Sequence, residues 1–319
     1  MKKNEIRDNG LVANLYTPEL ADESKKCPAI LLMSGSDGGM PGANAIPEYY
    51  IENLVANGFV VLALAYFGVQ GRPNILVNIE LEYFEQALIW LRSQPYVNSS
   101  AISIIGQSRG GELVLILGTI FPQYIKSIVA YVPSDVVNGG FPYSNQPAWL
   151  YQGQPLQTFV HGLTSNDENL TELDELNTLA QQNKISFHHN TQEDPMMLID
   201  LFKIRNQQSG REVSEIPVEK IQCPLLLLSG GQDNLWTCEY YCQQIMHRLE
   251  QHQSTIFRKH VNYDNAGHGI FASRDGGIYH SLGKFWCKLG GDSKSNEDAK
   301  KESMIELLEF LKLTLGNCY

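Results

Sequence analysis

Three residues of this 319-residue chain have the types and surroundings for nucleophilic acyl transfer: Ser108, Asp233 and His268. A serine hydroxyl is a poor nucleophile until a base takes its proton, and an imidazole base needs an acid to fix its tautomer. Ser108 lies in Gly106-Gln107-Ser108-Arg109-Gly110, directly after an apolar run at 102–105 and directly before a helix-period segment at 109–121. That strand–turn–helix context is what a nucleophile elbow requires. Small residues on both sides permit a strained turn that lifts the hydroxyl clear of a sheet. The pentapeptide alone is a weak signal, and its placement is what strengthens it.

Asp233 follows the run at 225–229 through Ser229-Gly230-Gly231-Gln232, and His268 stands in Ala266-Gly267-His268-Gly269 after the segment 254–261. Of the eight histidines, only His268 has glycine on both sides. Asp264 is a second candidate acid, but to serve His268 it must fold back beneath its own loop. The three residues are 125 and 35 positions apart. They can converge if each follows a strand of one open parallel sheet, whose carboxyl ends share an edge. Acyl transfer also needs amides to hold the developing oxyanion. The backbone N–H of Arg109 and that of Ser36, in the loop Ser34-Gly35-Ser36-Asp37-Gly38-Gly39, are the expected donors. The glycine pattern of that loop fits neither phosphate-binding fingerprint.

The elements that must position these residues read as alternating strands and helices. Short aliphatic runs at 29–33, 59–66, 102–105, 127–132, 225–229 and, less apolar, 254–261 predict six buried parallel strands. Segments 47–57, 81–93, 109–121, 238–250 and 303–315 carry apolar residues at three- and four-residue spacing and predict the covering helices. The class is α/β, a mostly parallel sheet flanked by helices and lacking part of its antiparallel start. The chain reads as a single domain, 1–319, with its core in 11–134 and 218–315. Between them, 135–217 breaks the rhythm with polar, Asn- and Gln-rich sequence and is expected to form a cap over the site. Trp149, Phe159, Met196, Met197, Leu198 and Phe202 are its candidate apolar walls for a substrate, although each fits a place in the cap's own core equally well.

Composition narrows the class of function. Acidic residues outnumber basic ones 35 to 24, a net charge of −11, which repels a nucleic-acid backbone. Six cysteines without a two-residue spacing point to a reducing compartment, and Cys238 and Cys242, four apart, read as two small residues on one helix face rather than a metal site. The N-terminus has charges where a signal peptide would have its apolar segment, and the longest apolar stretch, 59–67, is too short to cross a bilayer. The expectation is a cytoplasmic protein with no membrane span and a small-molecule substrate. No metal or organic cofactor is implied.

The segments SGSDGG, IELEYFEQALIWL, IGQSRGGELVLILG, AYVPSDVV, PLLLLSGGQDNLW, NAGHGI and KLGGDSKSNEDAKKESMIELLEFL resemble, in order, the catalytic domain of the acyl-CoA thioesterase and bile acid-CoA:amino acid N-acyltransferase family. The similarity runs from about residue 11 to 315. It implies an α/β-hydrolase fold, with the family's nucleophile at Ser108, its acid at Asp233 and its base at His268. In amino-acid-transferring members the nucleophile is cysteine; serine here favours water as acceptor. The resemblance therefore implies a serine hydrolase cleaving an acyl thioester, with acyl-CoA the expected substrate, through an acyl-serine intermediate. The same residues would serve a carboxylesterase or a dienelactone-like lactone hydrolase, an acyl-CoA N-acyltransferase, or a non-catalytic binding protein. A coenzyme A carrier needs basic residues for its phosphates. Arg258-Lys259 and Lys294 with Lys300-Lys301 are the candidates, each also readable as solvated surface charge.

Overall fold

The computed structural model describes residues 1–42, 46–141, 146–158, 181–183, 198–207, 210–271, 279–282 and 285–316. In chain order the strands that matter here are β1 (Lys2–Ile6), β2 (Ala13–Thr17), β3 (Cys27–Met33), β4 (Val60–Leu64), β5 (Ile79–Glu80), β6 (Val97–Gln107), β7 (Ser127–Tyr131), β8 (Trp149–Tyr151), β9 (Gln154–Pro155), β10 (Leu225–Gly230) and β11 (Arg258–Tyr263). Eight of them form one sheet in the order β1-β2-β4-β3-β6-β7-β10-β11. All its pairings are parallel except β1 with β2 and β2 with β4. The antiparallel start is thus present, contrary to the sequence expectation. Its outer strand, Lys-Lys-Asn-Glu-Ile, is an exposed edge with no apolar run to signal it. Charged residues on such an edge discourage pairing with another chain.

The central strands are buried on both faces, which is why they read as continuous aliphatic runs: every residue of β3, β4, β7 and β10 is buried. Helices α2 (Glu82–Arg92) and α3 (Arg109–Ile120) cover one face together with much of α5 (Cys238–Gln251). Helices α1 (Glu48–Ala56) and α6 (Ser293–Leu315) cover the other. The last helix begins ten residues earlier than its apolar spacing predicts. The Asp292 carboxylate caps it by accepting from Ser295 N–H at 2.9 Å, and Lys294 pairs with Asp298 at 2.5 Å, so capping and charge pairing extend the helix through polar sequence.

The described residues of the segment after β7 lie in two places. β8 pairs in parallel with β5 and antiparallel with β9, so residues 149–155 join a small sheet beside α2. Farther on, α4 (Ile199–Arg205) packs with the α1 and α6 side of the core. Cys223, Cys238, Cys242 and Cys287 are buried free thiols. Among the described residues, no helix is long and apolar enough to cross a membrane.

Candidate active site

β6 ends at Gln107 and α3 starts at Arg109, leaving Ser108 alone in the turn at φ 54°, ψ −120°, a conformation rare for a residue with a side chain. The neighbours hold it there. The Ser108 N–H donates to Tyr131 O on β7 at 2.9 Å, and its carbonyl accepts from Glu112 N–H at 3.0 Å to open α3. A Cβ on Gly106 would lie 2.1 Å from Gly110 O, and one on Gly110 would lie 2.3 Å from Ser34 O. Both flanking glycines are therefore demanded by backbone contacts, one of which brings the Ser34 loop against the turn.

That loop is the one expected to supply the second oxyanion donor. The Tyr66 hydroxyl donates to Ser34 O at 2.7 Å, and a Cβ on Gly35 would come within 3.1 Å of Ser108 Cβ. Ser36, half-buried, follows immediately. The Arg109 amide stands at the first position of α3, where a helix leaves its N–H groups without partners inside the helix.

Asp233 and His268 meet. His268 Nδ1 and Asp233 Oδ2 are 2.7 Å apart, and both side chains are at least nine-tenths buried. Asp233 Oδ1 accepts from Leu235 N–H at 2.8 Å and Trp236 N–H at 3.2 Å, so three hydrogen bonds orient this carboxylate. Among the described residues, His268 Nε2 is buried without a hydrogen-bond partner, Ser108 Oγ included. Asp264, the other candidate, instead accepts from Asn262 Nδ2 at 2.8 Å on an exposed loop.

What joins the Asp233 and His268 loops is a segment the sequence does not single out as functional, Leu289 to Gly291. Leu289 O accepts from His268 N–H at 2.7 Å and from Asn234 N–H at 3.3 Å, while Gly291 N–H donates to Gln232 O at 3.2 Å. Asn296, on the first turn of α6, donates to Gly290 O at 3.1 Å and accepts from Gly267 N–H at 2.7 Å. The Gly290-Gly291 pair was visible in the sequence, but its role depends on a contact between distant loops. Asn296 carried no signal.

A buried polar network lies behind the Ser108 turn, also without a sequence signal. Arg109 Nε is 3.1 Å from Glu112 Oε2, and Arg109 Nη2 donates to the carbonyls of Asn138 and Gly139 at 2.9 and 2.8 Å. Glu112 also accepts from Asn138 Nδ2 at 2.7 Å and Trp149 Nε1 at 2.8 Å, and Asn138 Oδ1 accepts from Arg205 Nη1 at 2.9 Å. Burial raises the Glu112 pKa, and the Arg109 guanidinium opposes that rise. Farther along the segment, Asp135 pairs with Arg211, which reaches Glu215, which reaches Arg248.

The six candidate substrate contacts separate. Trp149 is fully buried in the core beside Tyr66 and Phe84, with ring centroids 6.0 and 6.3 Å away, which places it among core aromatics rather than on an open wall. Leu198 and Phe202 instead lie beside the Asp233–His268 pair. Leu198 N–H donates to Asn234 O at 3.2 Å, and the Phe202 ring sits 6.2 Å from that of Trp236. Phe159, Met196 and Met197 fall outside the described residues. The basic clusters are largely engaged: Lys259 with Glu306, Lys294 with Asp298, Lys300 with Glu297, and Arg258 with Ser254 O.

The family model described as BAAT / Acyl-CoA thioester hydrolase C terminal matches residues 79–317, the stretch holding all three triad candidates. The chain belongs to this family. Among curated family relatives, mouse acyl-coenzyme A thioesterase 2, mitochondrial, is 26% identical over 316 residues, covering 98% of this chain and 60% of the relative. Mouse acyl-coenzyme A amino acid N-acyltransferase 1 is also 26% identical over 316 residues, covering 98% and 65%. The chain thus spans about three-fifths of these relatives' length. Solved structures show the α/β-hydrolase fold. The Thermogutta terrifontis esterase Est2 has a TM-score of 0.55 at 15% identity, covering 99% of this chain and 93% of that one. The Pyrococcus furiosus esterase Pf2001 has 0.54 at 15%, with the same coverage.

Proposed function

We propose that the chain is a serine hydrolase that cleaves acyl thioesters, with coenzyme A as the thiol carrier. The observation that carries this reading is the buried Asp233–His268 pair at the same sheet edge as the strained Ser108 turn. Ser108 Oγ attacks the thioester carbonyl as His268 Nε2 takes its proton, and Asp233 stabilises the imidazolium. The oxyanion of the tetrahedral intermediate is held by the amides of Ser36 and Arg109. Collapse breaks the C–S bond, and the thiol leaves with the proton from His268. Water, deprotonated by the same imidazole, then releases the carboxylic acid from acyl-Ser108. Support for the thioester comes from the relatives named as acyl-CoA thioesterases.

A second reading, carboxylic ester or lactone hydrolysis by the same residues, is favoured by the acidic partners that already hold Lys259, Lys294 and Lys300. The deciding measurement compares kcat/KM across a graded acyl-CoA series with nitrophenyl and lactone esters of matched acyl length. Preference for the esters overturns the thioester reading. In either case Ser108→Ala is expected to lower kcat by roughly 10⁴–10⁶ while leaving the fold intact. An acyl adduct should appear on Ser108 in the intact-protein mass, and full activity in Ser108→Ala would remove both readings.

A further inference from the structure

We infer that Trp236 is a positioning residue that braces the His268 ring relative to the Ser108 turn; this rests on the triad reading above. Trp236 touches Asp233 and His268 directly and reaches the Ser108 turn through the Tyr131–Val132 bend. Its backbone N–H donates to Asp233 Oδ1 at 3.2 Å. Its indole ring packs edge-on with the imidazole of His268, with centroids 5.5 Å apart and planes at 77°. Its indole N–H donates to Val132 O at 3.1 Å.

Val132 links this contact to the nucleophile. It has φ 41°, a genuine strain for a β-branched residue, immediately after the last residue of β7. Its own N–H is held by Leu228 O on β10 at 2.7 Å, while the preceding residue, Tyr131, accepts the Ser108 N–H from the β6 side. One bend, Tyr131–Val132, therefore grips the amide of the nucleophile with one carbonyl and the indole of Trp236 with the next.

A brace is needed because the Asp233 hydrogen bond restrains only one end of the imidazole. Nδ1 is fixed, whereas Nε2, the atom that must face Ser108 Oγ, has no hydrogen-bond partner among the described residues. The indole removes the space into which the free end would swing. Phe202 and Tyr241 pack on Trp236 in turn, with centroids 6.2 and 6.0 Å away at 89° and 82°, so it cannot follow a moving imidazole. Burial at 5% exposure makes the indole N–H costly to leave unpaired, which secures the Val132 link.

The test uses Trp236→Phe, which keeps a ring against His268 but loses the N–H, and Trp236→Leu, which loses both. Readouts are kcat and KM on a short acyl-CoA and on a nitrophenyl ester, the rate of Ser108 labelling by a fluorophosphonate, and the urea midpoint. Expected are losses in kcat of about 10-fold for the phenylalanine and about 100-fold for the leucine variant, with KM changed less than twofold and labelling slowed in parallel. A rise in KM at unchanged kcat would make Trp236 a substrate wall and overturn the brace. So would labelling at the wild-type rate in the folded phenylalanine variant, which decides the matter if the leucine variant does not fold. Absence of labelling at Ser108 in the wild type would instead overturn the triad reading.

Discussion

Trp149 donates its indole N–H to Glu112 Oε1 at 2.8 Å, and both residues are fully buried. The bond runs from the segment after β7 to the first turn of the helix that begins at the nucleophile turn. Trp149→Phe is expected to destabilise the fold by about 2–4 kcal/mol, through the cavity it opens and the loss of a hydrogen bond to a charged acceptor. KM for the longest acyl substrate should change less than twofold. Urea unfolding and a chain-length series check both parts, and a selective loss of long-chain substrates would place Trp149 in the acyl pocket.

Asp233 is held by two backbone amides besides His268, so its replacement by asparagine preserves shape while removing the charge that stabilises an imidazolium. Asp233→Asn should lower kcat by about 10³–10⁴ with a near-normal urea midpoint. A loss under tenfold would mean that the pair is structural.

Gly290 sits at φ 84°, where an added Cβ would lie 1.8 Å from Gln232 O, between the acid and base loops. Gly290→Ala must push those loops apart and should reduce both kcat and the thermal midpoint. Gly210→Ala provides the contrast. That residue also has positive φ, at 89°, but nothing within 4 Å, so only backbone strain of about 1 kcal/mol is expected. Equal losses in the two variants would show that conformation rather than the loop contact sets the cost.

Burial lifts the Asp135 carboxyl from its ordinary value near 3.8 to about 6, and the Arg211 guanidinium offsets only part of that rise. The folded protein thus holds this proton more tightly than the unfolded chain. Stability from the group is complete below about pH 4 and is lost as pH rises through about 6. The stability of wild type relative to Asp135→Asn should accordingly fall by on the order of 2–3 kcal/mol between pH 4 and 7, measured by urea unfolding. The surrounding Arg211, Glu215 and Arg248 are present in both proteins, so their titration largely cancels. A relative stability that stays constant or rises with pH would contradict the carboxyl's elevated value.

Much of the scaffold was legible because it depends on local rules. Strands buried on both faces must be continuously apolar, which exposed β3, β4, β7 and β10, and a strained turn between strand and helix must have small neighbours, which exposed Ser108. Candidate acid and base followed from their positions just beyond such strands. The edge strand β1 escaped because solvent on its surface imposes no hydrophobic pattern, and the start of α6 escaped because a cap and charge pairs, not burial alone, extend it.

Tertiary structure alone decided how the pieces meet. Nothing in the periodicity of 288–296 says that Leu289 O receives the His268 amide or that Asn296 ties Gly290 to Gly267. Likewise Arg109, Glu112, Asn138 and Arg205 read as surface residue types, yet they are buried because each satisfies another's hydrogen bonds. Trp149 and Phe202, equivalent as apolar residues of one segment, were sorted by folding into a core aromatic and a neighbour of Trp236 beside the Asp233 loop. Hydrophobic spacing reports which side of an element is buried, whereas the partner it is buried against depends on chain closure across tens to hundreds of residues.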